Sequence, residues 1–158
     1  MSDQTCPLCR GREVDPDMGR EQVWEDAHWR LTTSIGPGDP TPGFSYLEPK
    51  RHIQSIADLD GGEAVTFGLA IARSTKAIKQ ATGSEAVYVY VFGGHIPHLH
   101  VHLAPHREGD ALNSAMLKGE IVEEPLPTGA VSLVSKDFPA IDQSELRSVA
   151  DRVRRLLS

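Results

Sequence analysis

Residues 95–106 read HIPHLHVHLAPH and hold five of the chain's seven histidines. His98, His100 and His102 alternate with Leu99, Val101 and Leu103. In a β-strand, alternate side chains share a face about 6.6 to 6.8 Å apart, so the histidines should form a row while the aliphatics pack inward. Imidazoles in such a row offer metal ligation or nucleophilic and acid–base work near neutral pH. A solvated face that is histidine by chance is the third reading, and strict alternation argues against it. The first and third members stand about 13 Å apart, whereas zinc ligands lie about 2.0 to 2.3 Å from the ion. One metal therefore holds one histidine of the row, or two under strain, and the others are left for different work.

Both cysteines, Cys6 and Cys9, lie in the segment CPLC. Two thiols at this spacing read as part of a metal site, as a redox pair or as incidental residues. The redox reading expects the pair between a strand and a helix. Here it runs into Gly11, Asp15 and Pro16, which favours metal.

Several elements must position these groups. QVWEDAHWRLTTSI, residues 22–35, reads as strand, turn at Asp26-Ala27, and strand. GPGDPTPG, 36–43, is a loop by its prolines and glycines, and FSYLEP, 44–49, a short strand. Asp58 or Asp60 caps a helix over 61–82 that Gly83 ends, with Ala64, Phe67, Ile71, Thr75 and Ile78 on its inner face. EAVYVYVF, 85–92, is apolar on both faces and reads as a buried central strand. Gly93-Gly94 breaks it, so the histidine strand should return antiparallel beside it. A short helix at NSAMLKG, a strand at 130–134 and a terminal helix follow. Asp142-x-x-Glu145 resembles a capping box, and Leu146, Val149, Ala150, Val153, Leu156 and Leu157 line one side of that last helix. The sum is an α+β fold, an antiparallel sheet covered by a long helix and a C-terminal helix.

The 158 residues carry a formal net charge of -6, which argues against broad nucleic-acid or membrane-surface binding. No apolar run approaches the ~20 residues of a bilayer span. The first residues, MSDQTCPLCRGREVDPDMGR, have no apolar stretch like that of a secretory signal, so a cytoplasmic protein is expected.

GGHIPHLHVHLAP resembles the signature of the histidine triad (HIT) superfamily, in which three histidines alternate with apolar residues after a glycine turn. YLEPKRHIQSIADLD resembles the family's strand, Pro-Lys-x-His and helix segment, and VWEDAHWRL its early hairpin. PTPGF matches a Pro-Gly-Phe variant of a bacterial branch, and CPLC the cysteine pair of zinc-carrying members. The resemblance covers residues 6–105 of one domain, 1–158, and leaves 106–158 as a C-terminal extension. It implies a nucleotide hydrolase or nucleotidyl transferase that forms a nucleotidyl-histidine on His100, with His102 touching phosphate and helping the leaving group. It implies structural zinc on Cys6, Cys9, His52 and His98, a nucleotide or nucleoside polyphosphate substrate, and a homodimer through the long helix and its adjoining strand. The alternatives are a zinc-stabilised nucleotide-binding module and a transferase acting on a sugar phosphate.

The chain departs from the family in places. Gly94 and His95 stand where a turn glutamine and a hydroxyl residue are common, Ser34 where an acid often binds ribose, and Pro105-His106 where some branches have Pro-Arg. Backbone amides at Gly94 are candidates for phosphate contacts, His95 reads equally as a phosphate donor or an exposed loop histidine, and Ser34 is the candidate for the ribose side. His106 and the pair Glu123-Glu124 read as solvated, His28 as structural, and Tyr88, Tyr90 and Phe92 as core rather than base-contacting. Lys50-Arg51 reads equally as an anion-steering pair or plain surface.

Overall fold

A computed structural model describes residues 5–92, 96–110, 119–127 and 129–158. The expected helix at NSAMLKG, Gly94 and His95 fall outside the described residues or at their edge, Gly119 beginning a strand.

A five-stranded antiparallel sheet runs β1 (Arg20–Glu25), β2 (Trp29–Ser34), β3 (Ser45–Pro49), β5 (Val101–Pro105) and β4 (Val87–Tyr90) in spatial order. The first hairpin turns where expected. Asp26 Oδ1 accepts the backbone amides of His28 at 2.8 Å and Trp29 at 2.7 Å, a side-chain closure that short acids supply well. β4 is an edge strand, not a central one, and Val89, Val91 and Phe92 there are 42–55% exposed. Apolarity on both faces reads as burial by sheet neighbours, but the order β3-β5-β4 leaves the outer rim of β4 without a strand partner among the described residues.

The long helix α2 (Gly61–Thr82) ends at Gly83, whose φ of 71° is the left-handed conformation that closes helices. Asp60 occupies its N-cap without a side-chain cap bond, while Asp58 closes a capping box with Ser55 in the preceding 3₁₀ turn. The buried face carries Glu63, Ala70, Ser74, Ala77, Ile78 and Ala81, with Phe67 and Ile71 packed against the core. Ala64, expected on the inner face, is exposed. The terminal helix α3 (Gln143–Leu157) is capped by Asp142, which accepts the Ser144 amide at 2.8 Å. It buries Leu146, Val149, Ala150, Val153 and Leu157, and leaves Leu156 outside at 49% exposure.

Both helices cover one face of the sheet, where Trp29, Leu31, Leu47, Leu99, Val101 and Leu103 are each at most 1% exposed. Helix α3, at the end of the segment after residue 105, is therefore part of the same core. Another portion of that segment, β6 (Gly119–Pro125) paired with β7 (Val131–Asp137), forms a separate two-stranded sheet. The opposite face of the main sheet presents cross-strand rows. One runs Thr32, Tyr46, His102, Tyr90, and another pairs Arg30 with Glu48. This face holds the candidate chemistry.

Candidate metal centre and active site

A one-turn helix α1 (Pro7–Arg10) follows Cys6, with proline at its start. The turn puts Cys6 and Cys9 on one side, facing the loop after β3 and the approach to β5. Cys6 Sγ lies 3.4 Å from His98 Nδ1, and Cys9 Sγ lies 3.2 Å from His52 Nδ1 and 3.4 Å from His98 Nδ1. All four ligand atoms fall within 4.8 Å of one another. Ligands about 2.0 to 2.3 Å from a tetrahedral zinc stand about 3.3 to 3.8 Å apart, so a small contraction closes the cage. His98 Nε2 lies 2.9 Å from the Pro49 carbonyl, to which it donates; this fixes the tautomer and turns Nδ1 toward the thiols. Burial lowers the His98 pKa and favours the neutral ligand form. The donor set and its geometry fit structural zinc, with Cys6, Cys9, His52 and His98 as the residues that would hold it.

Anchoring His98 leaves the next histidine free of the cage. His100 Nδ1 donates to the His98 carbonyl at 2.7 Å, so Nε2 carries the lone pair. The acceptor is thus supplied by the strand approach itself, two residues before the ring it holds. Regular strand pairing begins only at Val101, yet the alternation holds, with Leu99 and Val101 each 1% exposed. The His102 ring lies 5.2 Å from that of His100. It stacks on Tyr90 at 4.9 Å and 4° and meets Tyr46 edge-on at 5.2 Å. Tyr90 and Tyr88 thus pack beside the candidate active site and not within the helix-covered core, and Phe92 is 55% exposed. Their alternation is right for burial, but their face is the open one.

A cavity of about 220 Å³ is lined by Met18, Arg20, Tyr46, Ile96, His100 and His102. A cleft of about 970 Å³ adjoins it through Met18 and Tyr46 and reaches Ser34, Asp39, Asp137 and Phe138. The Ser34 hydroxyl donates to the Asp39 carboxylate, which also accepts the Thr41 amide at 2.9 Å. An acid therefore does stand beside Ser34, delivered by the loop and not by the strand. Burial, with help from the Asp39 charge, pushes the Tyr46 phenol up to about 12, so it stays a neutral donor.

Beneath this lies a charge network that sequence reasoning missed. Arg20 donates to Asp15 at 2.9 Å and Glu48 at 2.5 Å, and Arg30 to Asp15 at 3.0 Å and Glu48 at 2.8 Å. All four side chains are at most 6% exposed. The Arg30–Glu48 register pair, opposite charges inside otherwise uncharged strands, was the available signal.

The other candidates resolve simply. His106 is half-buried and 2.5 Å from Asp110, not solvated, because the turn after β5 folds Asp110 back onto it. His28 is structural, its ring filling the space where a Cβ on Gly62 would stand. Lys50 pairs with Glu25 and Arg51 with Glu63, so neither is committed to steering anions. Glu124 pairs with Lys136 at 3.2 Å, while Glu123 is exposed.

No family model matches the chain. Two uncharacterized HIT-like proteins of Mycobacterium tuberculosis are each 29% identical over 102 residues, covering 60% of this chain and 67% of theirs. A zinc-bound histidine triad family protein from Mycobacterium smegmatis superposes with a TM-score of 0.63, 16% identity, and coverage of 98% and 97% of the two chains. This is the histidine triad fold. A hypothetical histidine triad nucleotide-binding protein from Sulfolobus tokodaii gives the same TM-score of 0.63 at 17% identity, over 96% of this chain and 91% of that one. Coverage of this extent takes in residues beyond 105, so the HIT likeness is wider than the motifs alone suggest. Among the described residues no helix is long and apolar enough to cross a membrane.

Proposed function

We propose that this HIT-like chain is a nucleotide hydrolase or nucleotidyl transferase that works through a nucleotidyl-histidine on His100. The observation that carries the reading is the bond from His100 Nδ1 to the His98 carbonyl, which leaves Nε2 unprotonated in a ring that lines the small cavity. Nε2 attacks the α-phosphorus, forming a P–N bond as the bond from phosphorus to the leaving group breaks. Water or another acceptor then attacks the same phosphorus and releases His100. His102 contacts a phosphate oxygen or the leaving group. The larger cleft takes the nucleoside, with Ser34 and Asp39 on the ribose side. Gly94 amides and His95 remain proposed phosphate contacts from the turn.

The test is a rapid acid quench with a nucleoside phosphoramidate or dinucleoside polyphosphate labelled at the α-phosphate. Acid-labile label should map to His100. His100→Ala should lose turnover by several orders of magnitude, and His102→Ala about 10²- to 10⁴-fold as an assisting group. Near-normal turnover in His100→Ala sinks the reading; tight nucleotide binding without turnover makes the chain a binding module.

Zinc in this reading is structural, and its thiolate ligands suit a reducing, cytoplasmic setting. A homodimer is part of the same proposal. Val65 and Leu69 on α2 are 83% and 62% exposed, and among the described residues β4 is an edge strand of the sheet. Edge strands of this kind are open to pairing with a second chain, and two-fold dimers are the commonest soluble oligomer. Light scattering that gives the mass of one chain at micromolar concentration would refute it.

A further inference from the structure

We infer that Arg20 is an anion-binding residue, presenting a guanidinium N–H to a phosphoryl oxygen of whatever group sits against His100. The inference deepens the reading of His100 above and rests on it. Arg20 is 4% exposed. Its Nε donates to Asp15 at 2.9 Å and its Nη1 to Glu48 at 2.5 Å. Its Nη2 is buried and has no hydrogen-bond partner among the described residues. A buried donor left unmatched costs free energy and calls for a reason. Crowding of the network is not the reason, because Arg30 in the same network engages Nε, Nη1 and Nη2 with the same two acids.

The position of Arg20 supplies one. It pairs with Ser34 across the β1–β2 ladder, on the open face of the sheet. Its guanidinium carbon stands 6.0 Å from the centre of the Tyr46 ring, which also touches His102. Arg20, His100 and His102 line the same 220 Å³ cavity. Sites for whole drug-sized ligands run about 300 to 1,000 Å³; this one suits a compact group, with the rest of the molecule in the adjoining cleft. A guanidinium held rigid by two carboxylates is a preorganised donor for a phosphate oxygen, and it needs no reorganisation as charge shifts during transfer. The network is neutral overall, with two arginines and two acids, so it sets no net negative charge of its own against an incoming dianion.

Inorganic phosphate is the probe, with affinity read by 31P NMR on the zinc-loaded protein. Arg20→Lys is the first variant. Because single changes in a buried network can unfold the chain, two charge-balanced doubles form the decisive pair: Arg20→Met with Glu48→Gln, and Arg30→Met with Glu48→Gln. The first removes Nη2 of Arg20 and the second keeps it. Phosphate affinity should fall about tenfold or more in the first, the range of a hydrogen bond to a charged group, and stay within about threefold of wild type in the second. Equal affinities in the two doubles, or no phosphate binding by the wild type at millimolar concentration, overturn the inference. Label trapped on His100 with phosphate affinity indifferent to Arg20 defeats the inference and leaves the nucleotidyl reading standing. Phosphate binding that depends on Arg20, without any label on His100, does the reverse.

Discussion

Glu48→Gln should be among the most damaging single substitutions in this chain. The side chain is fully buried, and its two oxygens accept from Arg20 at 2.5 Å and from Arg30 at 2.8 Å. Burial works against the charge on Arg30, yet Glu48 and Asp15 more than offset it, and the Arg30 pKa is raised. The glutamine keeps volume and shape while removing one of two negative charges from a neutral tetrad. Breaking a buried ion pair from one side costs about 3–5 kcal/mol, because the partner charge is left stranded. For a chain of 158 residues each kcal/mol moves the melting point by about 2–4 °C. Calorimetry should therefore show a drop of about 6–20 °C. Adding Arg30→Met restores neutrality and should recover much of the loss, giving a favourable coupling between the two sites. A cost below about 1 kcal/mol for Glu48→Gln, or no recovery in the double, would refute the view that charge balance in this network governs its contribution.

Elemental analysis should find about one zinc per chain, and chelation or Cys9→Ser should lower the melting point clearly; unchanged melting with both thiols reactive counts against the cage. Gly43→Ala should destabilise by more than about 1 kcal/mol, since Gly43 has φ +82° and an added Cβ would stand 2.6 Å from Thr82 Cγ2 and 3.2 Å from Val149 Cγ1. The Tyr46 phenol ionises near 10 unfolded and at about 12 folded. Its contribution to stability is therefore complete below pH 10 and lost as pH climbs from 10 through 12. Alkaline absorbance titration of wild type against Tyr46→Phe should show that difference, and a Tyr46 transition at pH 10 would mean the ring is not buried.

Local patterns were read well from the chain and long-range ones poorly, for a physical reason. Helix α2 stops where Gly83 places it, because a left-handed C-cap acts within a turn. Leu99, Val101 and Leu103 turn inward because alternation is a property of extended backbone itself. The strand order is different. Nothing within EAVYVYVF states that β5 will insert between it and β3, so an edge strand reads as a central one. Arg20, Arg30 and Glu48 look like outward polar positions until their strands pair and Asp15 folds over them. The metal residues fall between these cases. CPLC, His52 and His98 are recognisable as a set only through the family resemblance, and the fold adds the Pro49 carbonyl that aims His98. Asp39 was hidden in a loop, where its reach to Ser34 depends on a backbone path that spacing does not encode.

The wall of the large cleft is assembled from distant parts of the chain. Tyr46 and Ser34 belong to the main sheet, whereas Asp137 and Phe138 come from the end of β7 and the residue after it. Phe138 is steadied by the Arg107 guanidinium 4.2 Å from its ring centre, and Arg107 in turn donates to the Pro40 carbonyl. The histidines proposed to react and part of the cleft wall are thus encoded in separable segments. On the proposed reading, descendants of such a chain would change what they admit by rewriting the end of the β6–β7 hairpin, without disturbing the bonds that aim His98 and His100. Selection on choice of substrate and selection on chemistry would then leave their marks in different stretches of sequence.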